Sequence, residues 1–183
     1  AFNGAERVHA STIREFEDRF GAVGFTSRAM CPCYGLAEST LCVTIPRAGQ
    51  GGTIRTFDAK ALEKRVVRES TIEDGGVELV SCGEVTDSHR IRIVDPGPGR
   101  ALPPGQVGEI WVSGPSVGTG YYGDPTASRS TFQAELLLSD GRRYLRTGDL
   151  GFLEDGELYV VSRLKDLIII RGRNYFPDDL EIV

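Results

Sequence analysis

The sequence predicts an α/β layer followed by a small antiparallel β-barrel or sheet. Near the amino terminus a helical pattern alternates with extended apolar stretches, as it does in α/β layers. From position 49 onward, short apolar runs are separated at regular intervals by turn residues, which is typical of antiparallel sheets and barrels. The 23 glycines and 9 prolines among 183 residues also favour many turns over helical packing.

The amino-terminal layer contains one clear helical pattern. Ser11 or Thr12 can cap this helix, and Gly21 is its expected stop. Its apolar residues Ile13, Phe16 and Phe20 are spaced to share one face. The extended stretches that follow lie at 29–34 and 41–45.

The second part begins after a glycine-rich joint at 49–52. We expect a short helix over 59–64, capped by Asp58, and a weaker helix over 128–136. The strands predicted in this part lie at 53–57, 77–81, 91–94, 107–112, 158–161 and 167–170.

The stretch 144–177 contains the last two of these strands, separated by the charged segment 162–166. That segment must face water or a ligand, because an unpaired buried charge is costly. One interpretation is a β-hairpin with a solvated turn, and the other is a turn that faces a ligand. Just before it, Gly148 allows a close approach of the backbone in a turn, and Asp149 follows with a carboxylate.

The charge and the hydropathy exclude some partners. A net charge of -5 and a pI near 5.1 argue against nucleic acid. No apolar run approaches the roughly 20 residues of a membrane span. The first residues lack a signal-peptide pattern and an initiator methionine, so we expect them to lie within a longer cytoplasmic polypeptide.

The four cysteines have two interpretations. Cys31 and Cys33 could belong to a zinc site, but one intervening residue is too few for the usual pair. Neither Cys42 nor Cys82 forms a second pair that would complete such a site. We therefore favour idle or buried thiols in a reducing cytoplasm.

Several motifs in order resemble those of the adenylate-forming enzymes, which include acyl-CoA synthetases, firefly luciferase and peptide-synthetase adenylation domains. The motifs are NGAE at 3–6, YGLAE at 34–38, GEIWVSGPSVGTGYY at 108–122, TGDLG at 147–151, SRLKD at 162–166 and RGRNYFP at 171–177. This resemblance implies part of the large domain of such an enzyme, up to its hinge. It also implies ATP and Mg²⁺ as cofactors.

The resemblance assigns roles within YGLAE. Tyr34 would stack on adenine, Gly35 would let the backbone approach the nucleotide, and Glu38 would be the catalytic residue that binds Mg²⁺. From the residues alone, a strand-to-helix turn with a capping glutamate is the alternative. Ala37 stands where the family commonly carries a hydroxyl residue.

It also assigns roles elsewhere in the chain. The backbone of Gly4 and Ala5 would line the adenine pocket, and Asp149 would accept hydrogen bonds from the ribose hydroxyls. Arg163 would reach the ribose or the α-phosphate, although a surface ion pair is the alternative. Lys165 matches the hinge about which the small C-terminal domain of these enzymes rotates.

The resemblance implies four segments. Residues 1–48 would end an α/β adenylate-binding subdomain, and 49–82 would be an insertion-like segment. Residues 83–162 would form a barrel-like subdomain that carries the TGD motif. Residues 163–183 would hold the hinge and the start of a C-terminal domain, whose first helix would begin at Asp178.

The wording of the motifs and the segment 53–81 resemble the fatty acyl-AMP ligases of lipid and polyketide synthesis. Such enzymes convert a fatty acid and ATP to an acyl-adenylate and pass the acyl group to the phosphopantetheine of an acyl carrier protein. The 183 residues show no upstream phosphate loop and no C-terminal catalytic lysine, so we expect them to be inactive alone. The alternatives are a fatty acyl-CoA synthetase and a non-catalytic adenylate-binding module.

Overall fold

The computed structural model describes residues 1–170 and 173–175. The predicted helix from Asp178 lies outside these residues. The helices are α1 (Ala10–Phe20), α2 (Ala59–Glu63) and α3 (Pro125–Phe132). The strands are β1 (Phe2–Asn3), β2 (Cys31–Pro32), β3 (Tyr34–Leu36), β4 (Leu41–Ile45), β5 (Ile54–Asp58), β6 (Gly76–Val85), β7 (Arg90–Val94), β8 (Gly108–Ser113), β9 (Leu145–Glu154), β10 (Glu157–Arg163), β11 (Ile168–Ile170) and β12 (Arg173–Tyr175).

One antiparallel sheet dominates the fold, in the order β3-β4-β6-β10-β9-β8-β7. Strand β6 also pairs with β5, over the half that precedes Gly83, and meets β4 only at Glu84 and Val85. Gly83 adopts φ +82°, and a Cβ there would lie 2.1 Å from the carbonyl carbon of Ile45. Among the described residues no pairing joins β7 to β3, so the sheet is open. The predicted antiparallel sheet is confirmed, whereas the closed barrel is wrong.

Two apolar clusters stabilise this sheet. In the second cluster Phe152 stacks on Tyr159 at a centroid distance of 5.2 Å, and Phe57 meets both rings edge-on. The first cluster includes Tyr34, which is 8% exposed. One residue of the predicted nucleotide site is therefore also a core residue.

Helix α1 begins at Ala10, so Ser11 and Thr12 lie in its first turn and do not cap it. Burial of Ala10 and Ile13 against Met30 decides where the helix starts. The predicted stop is also displaced, because a 3₁₀ turn continues over Gly21–Val23. The left-handed residue that ends it is Gly24, at φ +94°.

The predicted hairpin between 158–161 and 167–170 is wrong. Strand β10 pairs with β9 through the two-residue turn Asp155-Gly156, whose φ angles are +51° and +84°. An Asp-Gly pair tolerates these angles, and such turns match the twist of the strands they join. Strand β11 pairs instead with β12.

The cap of α2 is confirmed, since the backbone N–H of Ala61 donates to Asp58 Oδ1 at 3.0 Å. Helix α3 begins at Pro125, three residues before the predicted start, because Asp124 caps it through the N–H of Ala127. No helix among the described residues is long and apolar enough to cross a membrane.

Replacing Gly35 with alanine is expected to destabilise the protein by about 3 kcal/mol or more, since a Cβ there would lie 1.4 Å from the carbonyl oxygen of Leu41. Urea unfolding measures this loss. Gly21→Ala is the matched control, because a Cβ at Gly21 meets no atom within 4 Å and its φ is helical. Equal stabilities of the two variants would contradict the β3–β4 packing described here.

Candidate functional site

A cleft of about 770 Å³ lies between the amino-terminal segment and the strands β3, β9 and β10. Five of the predicted site residues line it: Ala5, Tyr34, Gly35, Asp149 and Arg163. Its size is in the usual range for pockets that hold small molecules and cofactors. The structure therefore brings together residues that are up to 158 positions apart in the sequence.

A bulge in β9 presents Asp149 to this cleft. Glu109 pairs with Leu150 and Trp111 pairs with Arg146, so three residues of β9 lie opposite Ile110 alone. The first of the three, Thr147, donates through Oγ1 to the carbonyl of Ile110 at 2.7 Å, and it accepts the N–H of Asp149 at 3.1 Å. Bulges re-aim a side chain in this way.

Glycine is needed within the bulge, where Gly148 adopts φ +74°. The sequence-based prediction of a turn at Gly148 is therefore wrong, because the residue lies inside a continuous strand. The expected need for a glycine at this position is nevertheless met, by its positive φ.

Two side chains hold the Asp149 carboxylate. The hydroxyl of Tyr34 donates to Oδ2 at 2.8 Å. Arg163, the ladder partner of Asp149 on β10, places its Nε 3.5 Å from Oδ1. A carboxylate offers about four acceptor positions, so both oxygens keep capacity for further donors.

Burial dominates the electrostatics of the pair. It raises the pKa of Asp149, and the charges of Glu109 and Glu38 act in the same direction. The hydrogen bond from Tyr34 and the charge of Arg163 oppose this rise. Burial, together with the charge of Asp149, also raises the pKa of Tyr34 well above its ordinary value, so Tyr34 remains a donor at neutral pH.

An ion pair between the buried Glu109 and the half-buried Arg146 holds the bulge, and sequence reasoning missed it. Glu109 is 1% exposed and accepts from Arg146 Nη2 at 2.9 Å and from the N–H of Gly148 at 3.2 Å. The guanidinium also lies over the Trp111 ring, 5.5 Å from its centroid. A charged residue at position two of an apolar strand, GEIWV, is the signal that could have indicated it.

Glu38 is not among the residues that line the cleft. It lies in a 3₁₀ turn, Ala37–Ser39, directly after β3, and its carboxylate accepts from the hydroxyl of Tyr121 at 2.7 Å. The described residues contain no group of three or more His, Cys, Asp or Glu side chains that could hold a metal ion. A single carboxylate still fits Mg²⁺, which completes its coordination with water and substrate phosphates.

Gly4 and Lys165 also lie outside the lining. A Cβ at Gly4 would be 2.8 Å from the carbonyl oxygen of Cys33, so close packing requires a glycine there. Lys165 is exposed in the 3₁₀ turn Leu164–Asp166.

Other cleft residues were not predicted from the sequence. They are Arg7, His9, Cys33, Leu36, Cys82, Val160, Ser162 and Asp166, whereas Glu6 belongs to the NGAE segment that the resemblance assigned to the adenine pocket. All four cysteines are free thiols, and burial raises the pKa of Cys82 to about 12.

Asp149→Asn is expected to stabilise the protein near neutral pH, because the charged carboxylate is disfavoured by burial. The folded state binds the Asp149 proton more tightly than the unfolded chain does. Wild-type stability therefore falls as the pH rises from the ordinary pKa of 3.8 through the raised folded value.

Urea unfolding across this pH interval tests the expectation, with the exposed Asp87→Asn as control. The advantage of Asp149→Asn should grow with pH, and it should vanish below the interval. A variant that is less stable than wild type at neutral pH would contradict the dominance of burial.

The sequence was compared with protein families and with known proteins. The family model described as AMP-binding enzyme matches residues 1–122. The chain is 45% identical, over all of its length, to the medium-chain-fatty-acid–[acyl-carrier-protein] ligase JamA of Moorena producens. It is also 45% identical, over 98% of its length, to a Mycobacterium tuberculosis protein with the provisional name fatty-acid–CoA ligase fadD25. The chain spans 31% of the length of each of these relatives.

The fold comparison agrees. A fatty acyl-adenylate ligase from Legionella pneumophila, solved in complex with acyl adenylate and pyrophosphate, superposes with a TM-score of 0.85 at 40% identity. The match covers 91% of this chain and 29% of that one. The resemblance to adenylate-forming enzymes that the motifs indicated is confirmed, and the chain belongs to the AMP-binding enzyme family.

Proposed function

We propose that the protein containing this chain activates a fatty acid with ATP, forming an acyl-adenylate and pyrophosphate. The observation that carries this proposal is the convergence of Tyr34, Asp149 and Arg163 on one cleft of about 770 Å³. An aromatic ring, a carboxylate acceptor and a guanidinium suit the adenine, the ribose hydroxyls and the phosphate of a nucleotide, respectively.

In this proposal, the ribose hydroxyls donate to the oxygens of Asp149 that Tyr34 and Arg163 already orient. The exposed Arg163 turns its remaining N–H donors to the ribose or the α-phosphate. The backbone at Gly4, Ala5 and Gly35 would border the adenine, beside Tyr34. Donors fixed before the substrate arrives stabilise charge that develops at the reacting phosphate.

Glu38 is proposed as the Mg²⁺ ligand, and when bound the cation would neutralise charge on the phosphates. The Glu38 carboxylate is near enough to Asp149 for its charge to raise the pKa of that residue. In this proposal the two carboxylates serve one nucleotide, Asp149 at the ribose and Glu38 at the cation, with Asp149 lining the cleft and Glu38 outside its lining.

The division of the chain is also a proposal. Residues 1–48 would close an adenylate-binding subdomain, 49–82 would be an insertion-like segment, and 83–162 would carry the ribose-binding bulge. Lys165, within 163–183, would be the hinge toward a C-terminal domain. Its exposure in a short 3₁₀ turn between two strands supports a position able to absorb a dihedral change.

Asp149→Ala is expected to weaken binding of a non-hydrolysable acyl-adenylate analogue by about 10- to 100-fold, the effect of losing charged hydrogen bonds to two hydroxyls. Calorimetry on the full-length protein measures this loss, and the exposed Asp87→Ala is the control. ATP–pyrophosphate exchange that depends on a fatty acid should fall in parallel. Retained binding in Asp149→Ala would contradict the ribose assignment, and binding without any exchange in wild type would indicate a non-catalytic adenylate-binding module.

The acceptor of the acyl group is proposed to be the phosphopantetheine thiol of an acyl carrier protein. The name of JamA supports this choice, while the provisional name of fadD25 favours coenzyme A. Full-length protein given a radiolabelled fatty acid and ATP should label a holo-carrier protein and leave coenzyme A unlabelled. Preferential formation of acyl-CoA would overturn the choice of acceptor without affecting the proposed activation step.

A further inference from the structure

The 3₁₀ turn that carries Glu38 is held by the loop between β8 and α3, residues 114–124. The N–H of Gly118 donates to the carbonyl of Glu38 at 2.8 Å. Thr40 Oγ1 donates to the carbonyl of Ser116, and Ser116 Oγ donates to the carbonyl of Ser39, each at 2.7 Å. The backbone on both sides of Glu38 is therefore fixed by this loop.

A series of side-chain hydrogen bonds holds this loop in turn. Because Ser116 uses its hydroxyl proton on Ser39, His89 Nε2 must donate to Ser116 Oγ, 2.6 Å away. Thr86 Oγ1 lies 2.7 Å from His89 Nδ1. The loop is thereby tied to the turn between β6 and β7.

The same loop holds the Glu38 side chain through Tyr121, whose hydroxyl donates to Oε1 at 2.7 Å. Contacts that do not involve Glu38 set the position of Tyr121. Its ring packs edge-on against Phe132 with centroids 5.0 Å apart, and its N–H donates to Ser128 Oγ at 2.8 Å. The hydroxyl is thus in place before it meets the carboxylate.

We propose that Tyr121 is a positioning residue for Glu38, which fixes one carboxylate oxygen and leaves the other for a divalent cation. The inference rests on the proposed function, in which Glu38 is the cation ligand. A lysine or arginine could also orient the carboxylate, but its charge would cancel the one that attracts the cation. A neutral hydroxyl orients without neutralising, as partners of metal-binding carboxylates do.

The electrostatics are consistent with this role. The hydrogen bond to Glu38 is the main cause that raises the pKa of Tyr121, followed by burial and the Glu38 charge, while the Thr131 hydroxyl acts in the opposite direction. Tyr121 therefore keeps its proton, and its ability to donate, throughout the neutral range.

The test is Mn²⁺ binding to the full-length protein with a non-hydrolysable ATP analogue, measured by electron paramagnetic resonance. Mn²⁺ shares the oxygen ligands of Mg²⁺ and reports binding without catalysis. Tyr121→Phe should raise the Mn²⁺ Kd by about 10-fold, the low end of the usual effect of such partners. The adjacent Tyr122→Phe is the matched control, because Tyr122 is fully exposed at 107%.

Two further measurements separate the possible outcomes. Metal-free AMP binding should be unchanged in Tyr121→Phe, and an equal weakening of AMP and Mn²⁺ binding would mean a purely structural role and overturn the inference. Glu38→Gln should raise the Mn²⁺ Kd at least as much as Tyr121→Phe. If Glu38→Gln weakens Mn²⁺ binding while Tyr121→Phe matches Tyr122→Phe, the positioning role fails and the metal role of Glu38 stands. If Glu38→Gln binds Mn²⁺ like wild type, the metal role itself fails, and the inference with it.

Discussion

The hydrogen bond from Tyr34 to Asp149 joins two residues that are 115 positions apart, and the organisation of the cleft depends on it. It connects the edge strand β3 to the bulge of β9, although three strands, β4, β6 and β10, lie between them in the sheet. The contact depends on the bulge at Gly148, whose φ of +74° re-aims the Asp149 side chain. One glycine in a strand thus helps to bring a phenol to a carboxylate.

The buried carboxylate of Asp149 lowers the stability of the free fold but favours ligand binding. Burial disfavours the charged form of Asp149, and neither Tyr34 nor the 3.5 Å contact with Arg163 fully offsets the effect. A strong acceptor that is under-supplied with donors is suited to a ligand that brings hydroxyl groups, because the ligand then completes its hydrogen bonding. The local cost to the free fold is the kind of compromise that functional sites often retain.

The sequence predicted most strands within a few residues, because apolar runs bounded by glycine mark buried strands whatever their partners. It failed where tertiary context decides. Ser11 is a good cap by type, yet the helix starts at Ala10, two residues before a Ser11 cap would place its first residue, and Ala10 and Ile13 are buried. The motifs predicted Tyr34, Glu38, Asp149 and Arg163 at one cleft, and the first, third and fourth of these line it. They did not predict the Glu109–Arg146 pair, because a single charged residue in an apolar strand does not identify its partner on the neighbouring strand.

Two carboxylates of this fold accept a hydrogen bond from a tyrosine hydroxyl: Tyr34 donates to Asp149, and Tyr121 donates to Glu38. In both cases the donor is fixed by packing, Tyr34 within the apolar core and Tyr121 against Phe132. Both phenols have a raised pKa, and each carboxylate contributes to the rise in its own donor, so neither gives up its proton at neutral pH. A phenol orients a carboxylate without removing its charge, and that charge is what ribose donors and a divalent cation would each require. The cation beside Asp149, Arg163, lies 3.5 Å away, farther than Arg146 lies from the buried Glu109 at 2.9 Å. The shared phenol–carboxylate contact therefore argues that both carboxylates are held ready for ligands.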